Sequence, residues 1–278
     1  MSLANWLKDV IPALASSRLQ EWMFQRDAFV PVFMLHRVED PALGVRGHTL
    51  PRLERQLAWL RKHRWEIISL EALAQRWDAG AGTAARTAVF TIDDGYLDQY
   101  TLAEQVFDHY DCPVTYFVST DFLDGKTWLW DAQLDYLFQR AQHPLIEYRA
   151  YRNPDNPQLQ LNLSTPQTTR QAFRQVRELL KRLPQATVYT EVARISTLLD
   201  VELPTQPPPA FAPMHWDQAA DLERRGHTVA PHSCTHRMLS RLAPEDARQE
   251  IIDSWRTVES RMGRTPQVFA YPNGLPED

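Results

Sequence analysis

The chain has 278 residues, 44% hydrophobic and 23% charged, a balance that suits one large or two small globular domains and excludes a disordered chain, a collagen-like repeat and a coiled coil. Its formal charge of −5, from 30 basic against 35 acidic side chains, argues against nucleic-acid binding, which needs a clustered basic excess. Two cysteines, Cys112 and Cys234, are too few for a disulfide scaffold and fit a reducing compartment.

No run of about 18 apolar residues marks a membrane span. Residues 1–29 lack the basic and long apolar stretches of a signal peptide. They read as an N-terminal helical extension, with Trp6, Val10 and Leu14 on one face, packed on the domain or docked on a membrane or partner. The expected location is the cytoplasm or the inner membrane surface.

From residue 30 onward, β-rich apolar runs alternate with amphipathic stretches. Strands are expected at 31–36, 65–70, 88–92, 113–118, 228–230 and 267–271, with helices at 50–64, 70–78, 102–109 and 244–262. Pro244 suits the first turn of the last helix and Gly263 the left-handed residue after it. Strand and helix in alternation predict an α/β fold, a parallel sheet or barrel with helices outside. Between about 124 and 215 the pattern changes: helices are expected at 128–140, 168–183 and 186–199, the stretch 151–167 has no period, and the proline-rich run 207–213 is a stiff connector. Because it shows no strand set, this segment reads as a mainly helical insertion in a domain spanning 30–278.

Three short elements carry chemistry. Asp93-Asp94-Gly95 follows a buried strand; adjacent carboxylates there repel and lose solvation unless a cation or proton compensates. Taken alone, the triplet is equally a turn with a helix cap. His232 and His236 stand at i and i+4, a spacing that on a helical turn lets two imidazoles share one divalent ion, although most such pairs are unrelated histidines. Two imidazoles and a carboxylate leave positions open to water, which points to catalysis rather than a closed structural site. Phe269-Ala270-Tyr271-Pro272-Asn273-Gly274 reads as a strand ending in a tight turn, able to aim a backbone N–H at a developing oxyanion.

In this order, with Met34-Leu35-His36-Arg37-Val38 before them, these segments resemble the first three motifs of the NodB-homology polysaccharide deacetylases. The resemblance covers about 30–123 and 214–274. It implies a distorted (β/α) barrel and a metal-dependent deacylase acting on an N-acetylated glycan. By position, Asp94, His232 and His236 would be ligands to one divalent ion, zinc most often, with cobalt, nickel or manganese also suited. Asp93 would be the general base, Asn273 would supply the oxyanion N–H, and Tyr271 and Pro272 would line the sugar; Trp130, outside the motifs, is a candidate sugar contact by residue type alone.

There are departures from the family pattern. Ala270 stands where an arginine often orients the base, and Asn273 where tyrosine is common. The sequence stops at Asp278, before the region where the family supplies further strands and a histidine acid; either the C-terminus has been trimmed, the simpler reading, or the proton donor comes from elsewhere, with His36 the nearest candidate although a structural hydrogen bond is its commoner role. A sugar-binding member impaired in catalysis is the alternative function. Cys234 is not expected to be a ligand, His227 is expected to be structural, and Asp98 and His109 are expected to be solvated. Trp128, Trp130 and Trp216 either stack on sugar or, more often for such residues, pack, and Asp131 could reach a sugar hydroxyl, although nothing in the sequence places it there. Sugar identity, acyl group and oligomeric state are not encoded in these motifs.

Overall fold

The computed structural model describes residues 30–83, 86–150 and 158–273. The expected helix bearing Trp6, Val10 and Leu14, and the turn residue Gly274, lie outside these. In chain order the first elements are β1 (Val32–Leu35), α1 (Leu50–Lys62), β2 (Glu66–Ile68), α2 (Leu70–Asp78) and β3 (Thr87–Asp94). A π-helical turn (Gln99–Ala103) leads into α3 (Glu104–His109), followed by β4 (Val114–Val118) and the single turn α4 (Thr120–Leu123). After α1, which buries Leu53, Leu57 and Leu60 at helical spacing, the chain enters β2 without a glycine linker. Ser69 caps α2 by accepting the Ala72 N–H.

All ladders in the main sheet are parallel. It runs β1-β3-β4 and then to β7 (Thr228–Pro231), with β2 joining the first half of β3. Strands β3, β4 and β7 are buried along their whole length, as expected for parallel strands covered on both faces. The fold is therefore the mixed α/β arrangement expected from the alternation. Among the described residues the hydrogen-bonded ring does not close. Residues 267–271 run beside β7 with a backbone bond from Ala270 N–H to Pro231 (3.3 Å) rather than as the expected strand.

The segment after α4 differs from its sequence reading in one respect. It contains α5 (Trp130–Arg140), α6 (Pro166–Lys181) and α7 (Val188–Leu199), but also an antiparallel pair, β5 (Leu145–Arg149) with β6 (Gln158–Asn162). The strands were unexpected because only alternate residues of β5 (Ile146 and Tyr148) turn inward, too few to show as an apolar run. These elements share an apolar cluster of their own that includes Trp130, Leu137, Tyr148, Val176, Val192 and Leu199. Thr165 and Thr168 form a reciprocal cap at the start of α6.

The proline-rich connector returns the chain to the sheet. There Leu97 N–H donates to Ala212 and Met214 N–H to Gly95, both at 2.9 Å, which fixes the turn after β3. Helix α8 (Trp216–Arg224) then leads into β7, and α9 (Pro244–Met262) closes the described fold. Helix α9 has the predicted bounds, with Gly263 at φ 69° as its left-handed cap.

Candidate active site

The sheet register brings the motifs together. Asp94 pairs with Val118, and Val118 pairs with Pro231, so the ends of β3 and β7 lie level on either side of β4. Two strand spacings separate them by roughly 10 Å, a gap that two inward-leaning side chains span. His232 follows Pro231 and donates its backbone N–H to Val118 (3.0 Å). The geometry of the turn after β3 depends on Gly95: its φ is +94°, and a Cβ there would meet Leu123 Cδ1 at 2.6 Å. Gln99, fully buried, donates from its amide to the carbonyls of His36 and Asp93 and ties the ends of β1 and β3 together.

Asp94, His232 and His236 converge. Ligating atoms from all three lie within 4.8 Å of one another, and the three residues are buried. The Nε2 atoms of His232 and His236 are 3.7 and 3.2 Å from Asp94 Oδ1, yet Oδ1 makes no hydrogen bond. Three potential ligand atoms thus face one another across a small space, an arrangement that suits a shared cation. Buried polar atoms are ordinarily satisfied, and this site holds a group that are not: Asp93 Oδ1, Asp94 Oδ1 and His236 Nδ1. His232 Nδ1–H donates to the Ala270 carbonyl at 2.9 Å, which leaves Nε2 as the free donor and orients the ring, the usual arrangement behind a ligating histidine. The donor set, two imidazoles and a carboxylate, fits a divalent ion of the zinc type.

Charge follows the same pattern. Burial works against ionised Asp94, but His236 above all, with His36 and His232, holds its carboxyl well below the usual carboxylate range. Burial, then the charge of Asp94, pushes Asp93 up to about 8, with His236 opposing. Burial lowers His232 to about 4, reinforced by His236. For His236 burial acts downward too, and Asp94 more than offsets it. The neutral imidazole of His232 beside the ionised carboxylate of Asp94 is the protonation state a metal requires.

The His232–His236 stretch departs from the expected helical turn. It is a loop in which Ser233 and His236 have φ of 61° and 57°. Left-handed backbone costs a non-glycine residue about 1–2 kcal/mol. Asp94 (φ 89°) and Asn273 (φ 71°) share this feature, so strain is concentrated in the three motif loops, as is common where surrounding contacts fix a functional geometry. Those contacts are specific. Ser233 Oγ accepts the His236 N–H (3.0 Å), and Glu250 on α9 accepts the N–H groups of Cys234 (2.8 Å) and Thr235 (2.9 Å).

Other expected site residues fall as follows. Trp130 is fully buried and donates its indole N–H to the His236 carbonyl (3.2 Å), so it presents no face to a sugar; its proposed glycan contact is corrected. Trp128 is buried edge-on to Tyr136 and Phe211, and Trp216 donates to Asp124 (2.8 Å). Tyr271 is 60% exposed, Pro272 is buried, and Asn273 Nδ2 is buried without a partner. Cys234 directs its thiol at the Glu250 carbonyl (3.5 Å). Asp98, expected in solvent, is buried and accepts from Arg37 Nε (2.8 Å) and Val38 N–H (2.7 Å). His227 is structural, bonded to Asp108 (2.8 Å) and accepting from Val114 N–H (3.2 Å). Sequence reasoning missed Gln99, Tyr189 and Glu250, whose roles arise only from tertiary placement.

A cavity of about 420 Å³ opens beside Asp94, within the size range of small-molecule pockets. His36, Arg37 and Tyr96 line its sheet side; Asp131, Asp135, Gln139, Phe173 and Arg177 line it from α5 and α6.

A family model for polysaccharide deacetylases matches residues 80–278. The chain belongs to the polysaccharide deacetylase family. It is accordingly a hydrolase of the class that removes N-acetyl groups from sugars. Among solved structures, the Streptococcus pyogenes deacetylase PplD in complex with acetate is 14% identical, with 90% of this chain and 76% of that one aligned at a TM-score of 0.54. IcaB from Ammonifex degensii is 15% identical, with 89% and 76% aligned at 0.51. At these identities the likeness establishes the α/β fold. No curated protein matches the chain. Among the described residues no helix is long and apolar enough to cross a membrane.

Proposed function

We propose that this chain hydrolyses the N-acetyl, or another N-acyl, group of an amino sugar in a polysaccharide or its precursor, within a domain spanning 30–278 that carries the 124–215 insertion. The observation that carries the proposal is the convergence of Asp94, His232 and His236 within 4.8 Å around unsatisfied buried atoms. These three would hold one divalent ion, zinc by donor type, with cobalt, nickel or manganese also compatible. When bound, such an ion supplies a Lewis acid and lowers the pKa of a water ligand towards 7.

The remaining roles belong to the chain. Asp93, the residue before Asp94 on β3, has a buried oxygen without a partner and feels the charges of Asp94 and His236; it would accept the proton from the attacking water. The backbone N–H of Asn273, held in a left-handed turn, would donate to the developing oxyanion. Scission of the C–N bond releases acetate and a free amine, which takes up a proton; His36, exposed on the cavity wall with Asp94, is a candidate donor among the described residues. Tyr271, exposed beside the turn, and Pro272 would bound the sugar-binding side.

The test is acetate release from N-acetylglucosamine oligomers, and from other acylated glycans, with and without added zinc or cobalt. Metal-dependent release supports the proposal. Metal and sugar binding without release from any acylated glycan would instead identify a sugar-binding protein impaired in catalysis.

A further inference from the structure

The insertion faces the cavity on one side and the histidine loop on another. Residues 232–238 lie outside helix and strand, so their backbone groups need partners from elsewhere. Three come from the insertion. The Tyr189 hydroxyl on α7 donates to the Thr235 carbonyl (2.9 Å), the Trp130 indole on α5 donates to the His236 carbonyl (3.2 Å), and Gln185 Oε1 accepts the Met238 N–H (3.4 Å). Opposite them, Glu250 holds the N–H groups of Cys234 and Thr235. The insertion thereby holds the loop at the carbonyls of Thr235 and His236 and at the Met238 N–H, α9 holds it at the N–H groups of Cys234 and Thr235, and the α4 turn donates to the carbonyls of Ser233 and Cys234.

We infer that the insertion is part of the metal site, with Tyr189 and Trp130 acting as positioning residues that hold the His232–His236 loop in its ligating geometry. The inference rests on the reading of Asp94, His232 and His236 as metal ligands. Its force comes from where the bonds land. They meet the carbonyl of His236 itself and that of the residue before it, at a position whose φ is left-handed. Peptide orientation there sets the direction of the His236 ring. Without these donors the loop keeps its sequence but loses the constraint that offsets its backbone strain.

Not every buried bond in the insertion has this role. The Tyr148 hydroxyl on β5 donates to Glu191 (2.8 Å) inside the insertion's own core. Removing that hydroxyl disturbs the insertion without removing a bond to the loop, which makes it the control.

The experiment compares the full chain with Tyr189→Phe, Trp130→Phe and Tyr148→Phe. Cobalt and zinc affinities are measured by calorimetry, the visible absorption of the cobalt form is recorded, and folding is checked by circular dichroism. Tyr189→Phe keeps the ring and should fold; it is expected to weaken metal binding by roughly 10-fold, in line with the loss of a supporting hydrogen bond around a metal ligand, and to shift the cobalt spectrum. Trp130→Phe should act in the same direction, and kcat should fall more than KM rises in both. Tyr148→Phe should lower thermal stability while keeping parental affinity and spectrum. Parental metal affinity and spectrum in folded Tyr189→Phe and Trp130→Phe, or an equal loss in Tyr148→Phe, would overturn the inference alone. A parent chain that takes up no ion would overturn the metal-site reading and this inference with it.

Discussion

Glu250 grips Thr235 at two points, accepting its backbone N–H at 2.9 Å and its hydroxyl through the other carboxylate oxygen. The first of those oxygens also takes the Cys234 N–H, so one side chain from α9, itself 8% exposed, serves three donors between the two histidines. Glu250→Ala leaves buried N–H groups unpaired, which costs about 1–3 kcal/mol per group. A lower melting temperature in thermal denaturation is expected, with partial recovery in Glu250→Gln, whose amide oxygen still accepts.

Asp93 and Asp94 are neighbours with different expected roles. Asp93→Asn should keep the three ligating groups and bind zinc or cobalt as the parent does. Its deacetylation rate should drop by about 10²–10⁴, the usual worth of a positioned base. Metal content by elemental analysis alongside acetate release checks both halves. An Asp93→Asn chain with parental turnover would remove the base from the mechanism.

Burial lowers the pKa of His227, with Asp108 pulling the other way. The folded state therefore binds the proton less readily than the unfolded chain, whose value lies near 6.5. The neutral histidine contributes stability above that pH, and the contribution is lost as pH falls from it towards the lower pKa of the folded state. Urea denaturation between pH 7.5 and 5 should show a steeper loss in the parent than in His227→Gln. Equal slopes would assign the acid sensitivity to other groups.

The Cys112 thiol is 2% exposed, and burial pushes its pKa up to about 11 against the opposing effect of Arg61. It should resist iodoacetamide at pH 8 in the folded chain and react fully in urea. Peptide mapping by mass spectrometry reads the difference.

These residues also show what a sequence reveals. The Asp93-Asp94 pair, the alternation around it and the bounds of α9 were legible because each is a local pattern: an apolar run, a carboxylate pair, Pro244 opening a helix and Gly263 ending it at φ 69°. The β5–β6 pair was not, since polar residues alternate with few inward ones. Nor was the form of the His232–His236 loop. An i, i+4 spacing suggests a helical turn, and only the left-handed Ser233 and His236 reveal that the rings meet by another route. Trp130 was misassigned to sugar binding because residue type says nothing of burial; its indole points to a backbone carbonyl that lies 106 positions along the chain.

The most direct test is a zinc or cobalt titration of the metal-stripped chain beside Asp94→Asn and His232→Ala. The account predicts one ion per parent chain and a loss of binding in both variants, each still folded by circular dichroism. Absence of binding by the parent, or undiminished binding by both variants, would contradict it.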